Sequence, residues 1–160
     1  MKKWALLLSF LLLLGLCAAC GKAEAPETNW EPGWNIAGES DRKFTDVVEI
    51  RITEFNLDEN QFTYEMHNTG DVTYCYATGA DFKLEVFHED AWHKMHYEPG
   101  WDVTAEEPYL EPGQTNEYST SYATAFIAEL PAGTYRFIKE VYQDGHYSSC
   151  LYTCCEFVIE

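Results

Sequence analysis

From Phe44 onward the chain alternates apolar and polar residues with a period of two. Val48, Ile50 and Ile52 interleave with Glu49, Arg51 and Thr53, which predicts a half-buried strand. Asp58-Glu59-Asn60 turns the chain, and Phe62, Tyr64 and Met66 then alternate with Thr63, Glu65 and His67. Asn68-Thr69-Gly70-Asp71 is a second turn signal. Phe82, Leu84 and Val86 alternate with Lys83, Glu85 and Phe87, and a short strand follows from Trp92 to Tyr97. Glu98-Pro99-Gly100 breaks it, and Thr115 to Tyr122 is extended again. Ala123 to Leu130 leaves room for one helical turn. Tyr135 to Tyr142 and a last strand ending at Ile159 flank Asp144-Gly145, which fits a hairpin turn. About seven to eight short strands joined by turn chemistry predict an all-β, antiparallel immunoglobulin-like β-sandwich and not a parallel α/β fold.

Leu130 to Glu140 is the most informative stretch. Pro131 and Gly133 make a tight corner, Tyr135 opens the strand behind it, and Phe137 follows two residues later. That is the layout of a tyrosine corner, in which the Tyr hydroxyl bonds back to the corner's main chain. Tyr135 and Phe137 then face the core, with Arg136, Ile138 and Glu140 on the other face. Lys139 falls on the inward parity, an uncomfortable place for a charge.

The first residues follow another logic. Lys2 and Lys3 precede an apolar run from Trp4 to Leu16 that is too short to span a bilayer comfortably. The run ends in Cys17-Ala18-Ala19-Cys20-Gly21, where small residues before a cysteine resemble a bacterial lipobox. We expect residues 1–19 to be a lipoprotein signal peptide and Cys20 the lipidated first residue. Residues 20–43, polar and rich in Pro and Gly, read as a linker, with Trp30 and Trp34 docking back on the domain. Residues 44–160 form the sandwich. An anchored, extracytoplasmic location follows, with the membrane reached through the N-terminal lipid. Plain secretion after an Ala-x-Ala-like site is the alternative.

Composition narrows the partners. Acidic residues outnumber basic ones 27 to 10, and cleavage before Cys20 removes two of the basic ones. A field of that sign repels nucleic acid, so none is expected as a partner. With Cys17 cleaved and Cys20 lipidated, Cys75, Cys150, Cys154 and Cys155 remain, and an oxidising compartment permits disulfides. The expected bridge joins Cys75 to Cys150 or Cys154.

No motif carries catalysis. Gly-x-Ser-x-Gly, P-loop, dinucleotide and calcium-loop fingerprints are missing from the sequence, and Cys150-x-x-x-Cys154-Cys155 is not a Cys-x-x-Cys redox pair. His93 and His96, three apart, fall on opposite faces of a strand and do not chelate there. The carboxylates Glu89-Asp90 and Glu106-Glu107 read as solvated loops. We therefore expect no catalytic residues, no metal site and no cofactor. Trp92, Tyr97, Trp101 and Tyr109, gathered around Glu98-Pro99-Gly100, are the candidate binding loop. The alternative use is metal or small-ligand binding by loop histidines and carboxylates.

Several segments together resemble bacterial immunoglobulin-like domains of the group 14 kind, found in exported lipoproteins of Gram-positive bacteria. They are Asn68-Thr69-Gly70, Phe82-Lys83-Leu84-Glu85 with Trp92, Leu110-Glu111-Pro112-Gly113, the stretch Leu130 to Glu140, and Glu156-Phe157-Val158-Ile159. The resemblance covers roughly Thr45 to Glu160. It implies an extracytoplasmic β-sandwich and brings no catalytic residues. The cysteine-bearing Tyr147 to Cys155 departs from the common pattern. The expected function is a non-catalytic surface module that binds another surface protein or a peptide, or serves structurally.

Overall fold

A computed structural model describes residues 36–56, 58–79, 81–96, 107–122, 130–146 and 148–160. They form strands β1 (Ile36–Glu39), β2 (Val48–Asn56), β3 (Gln61–Asn68), β4 (Tyr74–Cys75) and β5 (Lys83–His88). Then come β6 (Ala91–Met95), β7 (Tyr109–Leu110), β8 (Thr115–Ser121), β9 (Gly133–Gln143) and β10 (Cys150–Ile159). The smaller sheet runs β2-β3-β8 and the larger β1-β6-β5-β9, all antiparallel. One edge of β9 carries both β5 and the short β4–β7 pair, and the other carries β10. The expected signal peptide, Cys20, Trp30, Trp34, Tyr97, Trp101 and all but Leu130 of the helical turn expected over Ala123 to Leu130 lie outside the described residues.

Alternation explains the pairing. Val48 and Ile50 on β2 and Phe62, Tyr64 and Met66 on β3 are buried, while Glu49, Arg51 and Glu54 face out. Turn chemistry fixes the registers. Asn60 takes the left-handed backbone (φ 54°) that Asn tolerates. Glu89 and Asp90 both have positive φ, as a two-residue turn between β5 and β6 requires. The sheets close on rings. Phe62 meets Phe55, Tyr122, Phe137 and Phe157 at centroid distances of 5.0 to 5.4 Å.

Two features depart from a regular alternation. Cys75 pairs with Tyr142 and Lys83 with Ile138, so seven residues between the first two face three on β9. The surplus, 76–82, leaves the ladder and is pinned by buried Tyr76 and Phe82. The second feature is the segment from Ile36 to Asp46. β1 pairs with β6, Thr45 donates its N–H to the Tyr152 carbonyl at 2.8 Å, and Phe44 bridges Tyr152 in parallel. Among the described residues, strand pairing thus reaches to Ile36, eight residues ahead of Phe44.

Candidate functional site

At the corner, Pro131 leads into β9, which Gly133 opens. Tyr135 Oη donates to the Pro131 carbonyl at 2.6 Å, and its ring stacks on Phe157 at 5.4 Å. Burial pushes the Tyr135 phenol pKa well up. Phe137 is fully buried between Tyr64 and Phe82. These residues are structural.

Lys139 is buried completely. Its Nζ donates to the Ala77 carbonyl at 2.8 Å and to the Asp81 carbonyl, closing the 76–82 excursion over β9. Carbonyls freed from the ladder thus receive an ammonium, and burial lowers the lysine pKa to about 8.

The cysteines correct the sequence expectation. None of Cys75, Cys150, Cys154 and Cys155 is joined in a disulfide. Cys75 and Cys150 both register with Tyr142, from opposite edges of β9. Their Cα atoms are therefore two strand spacings apart, about 10 Å, beyond the ~7 Å that a disulfide allows. Cys154 lies opposite Ile138, farther still. Cys155 packs against the core, and burial raises its thiol to about 12.

Beside Cys75 is a pocket of about 340 Å³ on the outer face of the larger sheet, lined by Tyr76, Asp81, Glu107, Glu140 and Tyr142. Burial raises the Glu140 pKa, but Lys83 Nζ at 2.5 Å and Tyr142 Oη at 2.9 Å outweigh it and hold the carboxylate below its ordinary value. Burial and the Glu140 charge raise the Cys150 thiol. A shallow groove of about 590 Å³ lies over β2, between Asp46, Arg51, Glu65, His67 and Thr115. These two surfaces therefore offer ion pairs and phenols among the described residues.

The two described aromatic residues of the candidate loop, Trp92 and Tyr109, lie on different strands. Trp92 is on the outer face of β6, where the Arg136 guanidinium stacks 3.7 Å from its ring centroid. Tyr109, on β7, is 52% exposed. His93 Nε2 lies 3.2 Å from the His88 carbonyl, and His67 Nδ1 lies 2.9 Å from Thr115 Oγ1. Among the described residues no group of three or more His, Cys, Asp or Glu is placed to hold a metal ion.

Sequence reasoning missed the arrangement around Glu85. This carboxylate is fully buried on the outer face of β5, where Ser40 Oγ and Arg42 Nη1 both donate to Oε1. Oε2 has no hydrogen-bond partner and lies 3.9 Å from Arg136 Nη1. Arg136 in turn bonds Glu156 Oε1 at 3.1 and 3.2 Å and lies 5.3 Å from the Phe44 ring centroid. Two signals pointed there: the opposite charges of Glu85 and Arg136, and Arg42-Lys43 in an otherwise acidic stretch.

No curated protein sequence matches the chain. Among solved structures, a crystal structure described as ApaA from Bordetella pertussis aligns with 18% identity over 74% of this chain and 92% of that one. Its TM-score of 0.34 supports no statement about fold or activity. The sequence pattern of the bacterial Ig-like domain matches residues 43–153, more than half of the chain, and its span holds β2 to β9, the start of β10 and the corner just described: the chain belongs to the bacterial Ig-like domain family.

Proposed function

We propose that the chain is a non-catalytic, lipid-anchored module on the extracytoplasmic face of the membrane, tethered through Cys20, that binds a surface protein or peptide. An Ig-like family membership suggests a binding or structural module. The observation that carries the tethered reading is the stitching of Ile36–Asp46 onto the larger sheet. The residues that follow the linker are held by β1 on β6, by Arg42 on Glu85 and by Thr45 on Tyr152. A pull along the linker therefore meets the sheet at several points instead of a free tail.

Labelled palmitate fed to bacteria expressing the chain tests the anchor. Incorporation into the native chain, with loss of label and release from the membrane fraction in Cys20→Ser, is expected. A native chain that takes up no label, or a Cys20→Ser chain that stays with the membrane, overturns the tether. Pull-down from a surface proteome with the lipid-free variant then tests binding.

A further inference from the structure

The segment between Ile36 and Val47 is attached to the sandwich without joining its core. Only those two flanking residues pack against the buried cluster. Between them the strap is held as a bound peptide is held. β1 pairs with β6 over Ile36–Glu39, and beyond that ladder main-chain bonds run from Ser40 N to the Trp92 carbonyl (2.7 Å) and from Thr45 N to the Tyr152 carbonyl (2.8 Å). One charged anchor, Arg42, enters Glu85 and lies 5.5 Å from the Tyr152 ring centroid. One aromatic anchor, Phe44, lies against Arg136. Main-chain bonds with alternate side chains in matched positions are how extended peptides dock on sheets.

The receiving surface belongs to the rigid part of the molecule. Glu85 is on β5 between β6 and β9, and Trp92, Arg136 and Tyr152 are on ladder strands. Glu85 Oε2, buried without a hydrogen-bond donor, is an acceptor that the strap does not satisfy.

We infer that this outer face of the larger sheet is a peptide-binding site, that the chain's own strap occupies it in cis, and that the exchangeable occupant is a basic, extended peptide with a guanidinium and, two residues on, an aromatic ring. The inference deepens the binding-module reading and rests on it, but not on the lipid anchor. Charge favours a foreign basic peptide over a second copy, because each chain carries a formal charge of −17. The strap competes from within the chain at an effective concentration on the order of millimolar, so partners bind visibly only when its grip is weakened.

The probe is a fluorescein-labelled peptide with the sequence of residues 38–46 made basic by Glu39→Gln, Asp41→Asn and Asp46→Asn, titrated into the full chain and followed by anisotropy. In the doubly substituted chain Arg42→Ala, Phe44→Ala, the peptide is expected to bind at least about 10-fold more tightly than in the unaltered chain, the scale of one hydrogen bond to a charged group. Glu85→Gln added to that variant, or Gln in place of the peptide's own Arg, is expected to reverse the gain. A folded strap variant that does not bind the peptide, or binding indifferent to Glu85→Gln, overturns the proposal. Sedimentation of the unaltered chain as a dimer that the strap variant does not form would make the occupant a second copy's strap and overturn the foreign partner. If the variant does not fold, hydrogen exchange on the unaltered chain decides. The Ser40 and Thr45 amides are expected to exchange at least about 100-fold faster than those of β9, through local opening. Equal protection would mean that the strap leaves only when the whole fold does, and the proposal fails.

Discussion

Tyr135 is buried to the last atom of its ring, yet ends on a hydroxyl, and the Pro131 carbonyl 2.6 Å away is what makes that burial tolerable. Tyr135→Phe keeps the stacking on Phe157 and removes one donor. It should lower stability by about 1 kcal/mol in urea unfolding, the net worth of a hydrogen bond. An unchanged midpoint would show that the corner is only a turn. Lys139 is the opposite case, a charge held where water is absent. Its pKa falls from 10.5 unfolded to about 8 folded, chiefly by burial. Between those values the unfolded chain binds more protons, so this residue's contribution raises stability as pH climbs from about 8 to 10.5. The charged form costs on the order of 3 kcal/mol at neutral pH. Lys139→Met removes that cost but strands the Ala77 and Asp81 carbonyls, at roughly 1–3 kcal/mol each, so its net effect at pH 7 is small or destabilising. The clean readout is the slope. The thiols, whose pKa values rise on folding, act in the opposite direction, so native chain and Lys139→Met must be compared across that range. Equal slopes would rule out a titrating Lys139.

Elements meet through single polar residues as much as through the core. Asn68 ends β3 fully buried; its Nδ2 donates to the Val72 and Leu110 carbonyls, each at 2.8 Å, and its Oδ1 accepts from Gly70 N at 2.9 Å. It ties the end of β3 to the lead into β4 and to β7. Asn68→Ala leaves three main-chain groups without partners and should cost at least about 2 kcal/mol. Asn68→Asp keeps the acceptor and loses both donors, so it should recover only part of that loss. Denaturant midpoints of the two variants check both statements, and an Ala variant as stable as the native chain contradicts them. Asn68-Thr69-Gly70 read in sequence as a turn, and it is one; that its side chain also serves β7 depends on Leu110, forty-two residues on, which no local pattern encodes. The same boundary runs through the rest of the fold. β2, β3, β5, β9 and β10 were legible because alternation is a local signal. β1 and the strap were not, since their attachments are polar pairs, such as Ser40 with Glu85, that leave no hydrophobic period. The 76–82 excursion hid for a similar reason: its surplus length shows only against β9. Trp92 was singled out as part of a loop, but its neighbours in the ladder, not in sequence, put it under Arg136.

At the scale of the molecule the question is what holds an acidic sandwich together in the compartment proposed for it. The register gives an answer independent of covalent bridges. β9 is the centre of the larger sheet, and it stands between Cys75 and Cys150. Cys154 and Cys155, being adjacent on one strand, point to opposite faces, Cys154 toward the groove over β2 and Cys155 toward the core. A bridge between any strand of the β4 side and β10 would require β9 to move aside, and β9 carries Tyr135, Phe137 and Val141, all fully buried. The interlocked rings around Phe62 supply the cohesion, with each large aromatic group burying 150–250 Å² and contributing roughly 2–3 kcal/mol. Thermal unfolding should therefore give the same midpoint with and without dithiothreitol. In a thiol-labelling experiment on the native chain, Cys75 and Cys155 should react last, because Cys75 is buried and the Cys155 thiol, pushed up to about 12, offers almost no thiolate at neutral pH. A midpoint several degrees lower in reductant, about the shift that losing one disulfide of 2–4 kcal/mol would give, would mean that a bridge forms and that β4, β9 and β10 are not in this register.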